Sequence, residues 1–388
     1  METAALYVHI PFCIRKCAYC DFNSYPGMED LFQPYVDALT SEIRTTSARY
    51  PDVRVPTIFF GGGTPTVLSG EQLSGLLGEI LGSFRVDSDA EITIEANPGT
   101  LLLSISGTLP NHPLLKGGVM SFNRLSLGVQ SFDDEELRRL GRIHTSDEAV
   151  EAFRQAREAG FRNISIDLMY GVPGQTVESW KRTLGRALDL APEHISLYSL
   201  SIEAGTPFHE MNRAGALQLP GDEAEADMYE AAIQTLVDAG FAHYEISNFA
   251  RPGFQCRHNI TYWKNEPYFG FGAGATSFLN GVRSTRVADV PEYIRRISEG
   301  MPPVVFEEHA IGIDAMGETM FLGLRLLEGV NIEDFRRRYG ETPTEAFPSV
   351  IPGLKERGMI EETGGFIRLT HHGLFFGNDV FEEFVGLG

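Results

Sequence analysis

Cys13, Cys17 and Cys20 stand in a Cys-x-x-x-Cys-x-x-Cys spacing, three thiols within eight residues of a chain that holds only four cysteines. Three thiolates on one short loop can hold three irons of a cubane cluster. The fourth iron is then left without a protein ligand. An open iron can take the amino and carboxylate groups of S-adenosylmethionine and reduce its sulfonium. Structural zinc is the alternative, with His9 or Cys256 as fourth ligand, although zinc prefers paired Cys-x-x-Cys spacings and four protein ligands. Either metal suits a reducing cytosol better than a disulfide framework does.

A second group follows in Phe59-Phe60-Gly61-Gly62-Gly63-Thr64-Pro65. A glycine run at a strand end lets backbone N–H and C=O groups come close to a ligand, here the amino group of a methionine moiety. Taken alone, such a run is equally a tight turn. Further polar residues fall where strands are expected to end: Glu95 and Asn97, Gln130, Asp167 just before Gly171-Val172-Pro173-Gly174, and Glu203. No residue is assigned a catalytic role.

The elements that must position these residues are short runs rich in β-branched or aromatic residues, bounded by Gly, Pro or Asn. They are Leu6–Ile10, Thr57–Phe60, Glu91–Glu95, Arg124–Val129, Asn163–Met169 and His194–Leu200. Helical patterns lie between them, among them 147–159 and 177–190, with Ser146 and Thr176 as expected N-caps and Gly160 past the end of the first. Six βα units in a row imply an α/β fold with a parallel sheet and helices outside it. A doubly wound sheet and a barrel both fit. Because the polar and glycine-rich features gather at the carboxyl ends of all six strands, a partial (β/α)6 barrel with one mouth is expected.

The expected organisation is a barrel core over residues 1–240, a connecting region over 241–310, and a smaller C-terminal domain over 311–388. The last part reads as helices at 315–327, 332–339 and 345–357, a hairpin around Gly364-Gly365, and a final helix at 371–384, an arrangement like a winged helix. Residues 314–388 carry 7 Lys/Arg against 13 Asp/Glu, and the whole chain has a formal net charge of −21. Such a surface repels phosphate backbones, so no nucleic-acid partner is expected. No run of 18 or more apolar residues is present, so no transmembrane segment is expected. The first residues, METAALYVHIPFC, lack a basic region followed by an apolar run, and a cytoplasmic location is expected.

Tyr7-Val8-His9-Ile10-Pro11-Phe12-Cys13 through Cys20-Asp21-Phe22, followed by the Gly-Gly-Gly-Thr-Pro run, resembles the radical-SAM family. The most similar branch is the one named after oxygen-independent coproporphyrinogen oxidase. Ile94-Glu95-Ala96-Asn97-Pro98, Leu127-Gly128-Val129-Gln130-Ser131-Phe132 and the stretch from Ile166 to Thr176 continue the match. The resemblance implies a radical-SAM barrel, a [4Fe–4S] cluster on Cys13, Cys17 and Cys20, and S-adenosylmethionine. It further implies contacts to S-adenosylmethionine from Tyr7, Tyr19, Gly62, Gly63, Thr64, Glu95, Gln130, Arg142 and Asp167.

Two departures from the oxidase pattern bear on function. The oxidase has a fourth cysteine two residues after the third, where this chain has Phe22, and it carries a long extension ahead of its first cysteine, where this chain has twelve residues. Both put coproporphyrinogen oxidation in doubt and match the related haem chaperones of the HemW type. Cys256-Arg257-His258-Asn259-Ile260-Thr261-Tyr262-Trp263 is similar to the His-Asn-x-x-Tyr-Trp motif of those chaperones. The resemblance implies haem held by His258, Asn259, Tyr262 and Trp263 beside the barrel mouth, with delivery to an acceptor protein. The alternatives are a hydrogen-bonded His258 under the barrel and, for the whole chain, a coproporphyrinogen III dehydrogenase.

Overall fold

The structure is a computed structural model that describes residues 2–105 and 121–386. Six parallel strands, β1 (Ala5–Ile10), β2 (Arg54–Gly62), β3 (Arg85–Ala96), β4 (Arg124–Gln130), β5 (Ile164–Tyr170) and β6 (His194–Ser199), lie side by side in chain order. The helices between them are α1 (Phe32–Arg49), α2 (Gly70–Ser83), α3 (Pro98–Ile105), α4 (Asp134–Leu140), α5 (Ser146–Glu158) and α6 (Val177–Asp189), with α7 (Pro207–Arg213) and α8 (Asp222–Asp238) after β6. β1 and β6 do not pair with each other, so this is the expected partial barrel.

The alternation of each strand explains its two faces. Leu125, Leu127 and Val129 of β4 are fully buried in the outer core, while Arg124, Ser126, Gly128 and Gln130 line cavities inside the barrel. β5 repeats the pattern, with Ile164, Ile166 and Leu168 outward and Asp167 and Met169 inward. Apolar residues thus seal strands to helices, at about 25 cal/mol per Å² buried, and the interior is left for polar chemistry.

Both edges of the six-stranded unit are extended by residues 242–309. On the β6 side, β8 (Asn248–Ala250) pairs antiparallel, followed by β7 (Ala242–Glu245). On the other side, β9 (Tyr268–Phe271) pairs parallel with β1, and β10 (Thr276–Leu279), β11 (Val282–Arg286) and β12 (Val304–His309) complete a twelve-stranded sheet. The helices α9 (Arg257–Trp263) and α10 (Val290–Ser298) belong to the same stretch.

The C-terminal domain holds α11 (Ile313–Gly323), α12 (Ile332–Tyr339), α13 (Pro343–Ala346), α14 (Val350–Glu356), α15 (His371–Phe375) and α16 (Gly377–Glu382) around the sheet β13 (Val330–Asn331), β15 (Phe366–Leu369) and β14 (Ile360–Thr363). Gly364 and Gly365 turn the hairpin with φ of 59° and 84°, values that glycine adopts without cost. Three expectations need correction. The helix expected over 345–357 is two helices, because Pro348 lacks an N–H and forces Phe347 out of helical geometry. The helix expected over 371–384 breaks at Phe376, where φ is −119° and ψ 28°. The cap of α5 is Thr145, not Ser146: its hydroxyl accepts from the Glu148 N–H, and the Glu148 side chain answers to the Thr145 N–H.

Candidate functional site

The three cysteines sit on the loop after β1, half-buried, along one wall of a cavity of about 400 Å³ at the carboxyl ends of the strands. The loop is tied down on every side. The Cys13 N–H donates to the Tyr25 carbonyl at 3.1 Å, the Ala18 N–H to Leu140 at 3.1 Å, and the Lys16 ammonium to the carbonyls of Phe22 and Ser24 at 3.0 and 3.2 Å. The Thr64 hydroxyl lies 3.5 Å from Cys13 Sγ, and Arg142 Nη1 donates to Cys17 Sγ at 3.5 Å. Burial pushes the thiols of Cys13 and Cys20 up from their ordinary value, opposed by hydrogen bonds from Thr64 and Ser24. Iron reverses that, since a coordinating thiol is deprotonated outright.

Among the described residues, no three His, Cys, Asp or Glu side chains converge on one metal ion. The zinc alternative also lacks its fourth ligand. His9 Nδ1 is 3.0 Å from the Tyr7 hydroxyl and Nε2 is 2.8 Å from the Asn23 carbonyl oxygen, so both ring nitrogens are engaged. Cys256 is fully buried 3.6 Å from a Glu91 oxygen, away from this cavity. Three thiols on one cavity wall, with no fourth protein ligand among the described residues, fit a cubane with an open iron.

Around the same cavity stand Tyr19, Gly62, Gly63, Thr64, Glu95, Gln130, Arg142 and Asp167, eight of the nine residues expected to contact S-adenosylmethionine. The ninth, Tyr7, lies deeper, lining a second chamber. Glu95 is held by the Gly62 N–H at 3.1 Å, and Asp167 by the Ser126 hydroxyl at 2.9 and 3.1 Å and the Ser165 hydroxyl at 3.1 Å. Burial, with Asp167 nearby, pushes the Glu95 carboxyl up to about 8, and burial raises Asp167 as well. Arg142 is anchored by Nη2 to the Gly128 carbonyl at 2.5 Å. Gln130 has a φ of 68° beside a register shift between Gly128 and Gln130, a strained conformation that aims the residue at the cavity. Residues missing from the expected set are Ser126, Gly128, Met169, Tyr198 and Ser199. The alternation of β4, β5 and β6, which turns every second residue inward, is the signal that finds most of them.

The glycine run serves packing as well as access. At Gly62, with φ of 110°, a Cβ would collide with the His9 ring. At Gly63 it would stand 2.5 Å from the Phe12 carbonyl oxygen. Gly62→Val should therefore weaken the response of the reduced cluster to S-adenosylmethionine by tenfold or more, read as the shift in the cluster's electron paramagnetic resonance spectrum during titration. An affinity unchanged from wild type would leave the run as a turn only.

The His258 motif occupies another place than the one expected. α9 lies across the amino-terminal part of the barrel, away from the mouth. Glu91 of β3 accepts from the backbone N–H groups of Arg257 and His258 at 3.1 and 3.0 Å, capping the helix. His258 is 1% exposed; its Nδ1 is 2.9 Å from the Thr57 hydroxyl, its Nε2 is 2.8 Å from the Tyr262 hydroxyl, and it stacks on Phe59. Burial and the Arg124 charge lower its pKa to about 3. Asn259 and Tyr262 face the second chamber, whereas Trp263 is covered by the Arg325 guanidinium of the C-terminal domain. Haem ligation by His258 requires both ring hydrogen bonds to break and the imidazole to leave the interior.

Comparison with known proteins places the whole chain in a family. Residues 7–187 match the radical SAM superfamily, and residues 312–376 match the HemN C-terminal domain. The heme chaperone HemW of Bacillus subtilis is 42% identical over 382 residues, covering 98% of both chains. The chain belongs to the HemW family of radical SAM proteins. The HemW of Lactococcus lactis is 37% identical over 98% of this chain and 96% of its own. Coproporphyrinogen III oxidase (HemN) of Escherichia coli shares the fold, with a TM-score of 0.82 and 24% identity over 98% of this chain and 89% of its own. Membership of the radical SAM superfamily implies a [4Fe–4S] cluster and S-adenosylmethionine. Among the described residues, no helix is long and apolar enough to cross a membrane.

Proposed function

We propose that this chain is a cytoplasmic haem chaperone. It holds a [4Fe–4S] cluster on Cys13, Cys17 and Cys20 with S-adenosylmethionine in the 400 Å³ cavity, binds haem, and passes it to an acceptor protein. The observation that carries this reading is end-to-end similarity, over 98% of both chains, to a relative named a heme chaperone. Phe22 supports it: this residue stands where the oxidase has its fourth cysteine, lines the cavity, and is 63% exposed.

When bound, the cluster supplies an electron to the sulfonium of S-adenosylmethionine. The chain's own residues bind and orient. The Thr64 hydroxyl offers a hydrogen bond beside the cysteine loop, while the N–H groups of Gly62 and Gly63 are taken by Glu95 and the Ile10 carbonyl. The Glu95 and Asp167 carboxyls suit hydroxyl and ammonium groups, and Gln130, on the strand between theirs, lines the same cavity. Arg142 holds the cysteine loop to β4 through Cys17 and Gly128.

Anaerobic reconstitution followed by two separate assays tests the proposal. The reconstituted protein should retain haem at about one per chain, the stoichiometry of a single haem site. It should also release that haem to an apo-haemoprotein and leave coproporphyrinogen unconsumed. Robust conversion of coproporphyrinogen to protoporphyrinogen would move the assignment to the dehydrogenase.

A further inference from the structure

Beneath the cavity of the cysteines, inside the barrel, lies a chamber of about 210 Å³ floored by His258, Asn259 and Tyr262. It shares Glu95, Ser126, Asp167 and Tyr198 with the cavity above. Arg124, at the start of β4, lines this chamber with only 2% of its surface exposed. No hydrogen bond or ion pair joins its guanidinium to any described residue, and its Nε is buried with no partner. The residues outside the described ones, 1, 106–120, 387 and 388, contain no Asp or Glu.

A buried guanidinium with five N–H donors and no acceptor is among the costliest arrangements a protein interior can hold. The carboxylates that influence it do not satisfy it. Glu91 is committed to the N–H groups of Arg257 and His258, and Asp167 to the hydroxyls of Ser126 and Ser165. What answers a planar fork of donors is a planar pair of oxygens, as in a carboxylate or bicarbonate. Other lining groups can complete such a site with neutral donors: the Tyr198 hydroxyl and the Asn259 amide. The raised pKa of Glu95 and Asp167 lessens the negative charge an entering anion would meet.

We propose that the chamber is a binding site for one small planar oxyanion, a carboxylate or bicarbonate, paired with the Arg124 guanidinium below the cavity of the cysteines. This rests on the interior geometry and not on the haem-chaperone reading, and it makes four residues common to the anion and to whatever fills the cavity above.

The test uses the full-length, reconstituted protein and acetate as probe, with chloride holding ionic strength constant. Acetate at about ten times its dissociation constant should raise the melting temperature by about 1–2 °C, the shift expected for a chain of this length. Equilibrium dialysis with labelled acetate should give about one per chain, for the single guanidinium fork. Arg124→Met should lose both effects and, in buffer without acetate, melt no lower than wild type, because an unpaired buried charge has been removed. Should that variant fail to fold, Ser196→Leu, which fills the chamber and keeps Arg124, should abolish acetate binding. The proposal is overturned if wild type shows no acetate effect, which leaves the chamber to water, or if Arg124→Met or a folded Ser196→Leu responds as wild type does.

Discussion

Replacing Cys13, Cys17 and Cys20 together by alanine should take the anaerobically reconstituted protein from about four irons per chain, the content of one cubane, to none. The broad visible absorption should disappear with the iron, and so should any spectral response to S-adenosylmethionine. Folding should survive. The thiols are half-buried, and the loop that carries them is held by backbone and Lys16 hydrogen bonds that alanine leaves in place. Far-ultraviolet circular dichroism should therefore match wild type. Cys256→Ala should keep its iron, because Cys256 lies outside the cavity, fully buried beside Glu91. Iron retained by the triple variant, or zinc bound in its place by wild type, would sink the cluster reading.

His258→Ala should destabilise the whole protein. The substitution removes a ring packed on Phe59 and leaves the Thr57 and Tyr262 hydroxyls without their partner inside a closed interior. Lost packing and unpaired hydroxyls together cost about 2–4 kcal/mol. The melting temperature should fall by several degrees, and iron and haem content should fall in parallel with the folded fraction. Tyr262→Phe removes only the partner of Nε2 and should cost about 1 kcal/mol, a single hydrogen bond. The opposite result is equally readable. A His258→Ala protein that melts like wild type, keeps its iron and loses its haem would mean that the imidazole leaves the barrel to ligate iron.

The sequence was most legible where local pattern and global fold agree. Each of the six strands stands within a few residues of its expected place, because apolar alternation bounded by glycine and asparagine admits one reading. Thr176 caps α6 as its hydroxyl chemistry dictates. Eight of the nine residues taken from the family resemblance meet at one cavity, because strand ends in a barrel converge whatever their separation in sequence. What stayed hidden was long-range. Nothing local says that Tyr268 will pair beside Ala5, or that Glu91 will cap a helix 166 residues further on. His258 shows the same limit. Its neighbours in sequence, Asn, Tyr and Trp, suit a haem pocket and an interior plug equally well, and only the fold of the barrel decides which hydroxyls reach the ring. Arg124 was read as the first residue of a strand and nothing more, although its inward parity was already fixed by Leu125 and Leu127.

The position of α9 between the barrel and the C-terminal domain sets an order of assembly. Trp263 rests under Arg325, the Asn265 amide reaches Glu318 and Thr319, and the Leu327 N–H donates to Tyr244. β1 leaves the ribosome long before β9 and gains that neighbour only when Tyr268–Phe271 has emerged. The cysteine loop is therefore synthesised well before β9, so the sheet that supports it is finished late and its underside is braced later still. Domains usually fold as units during synthesis, amino-terminal part first. Here a nascent chain halted before residue 268 would carry all three cysteines on a loop whose preceding strand, β1, has one flank unpaired. A ribosome-bound fragment of that length should accept iron poorly and yield readily to protease, while one extended past Leu327 should do neither.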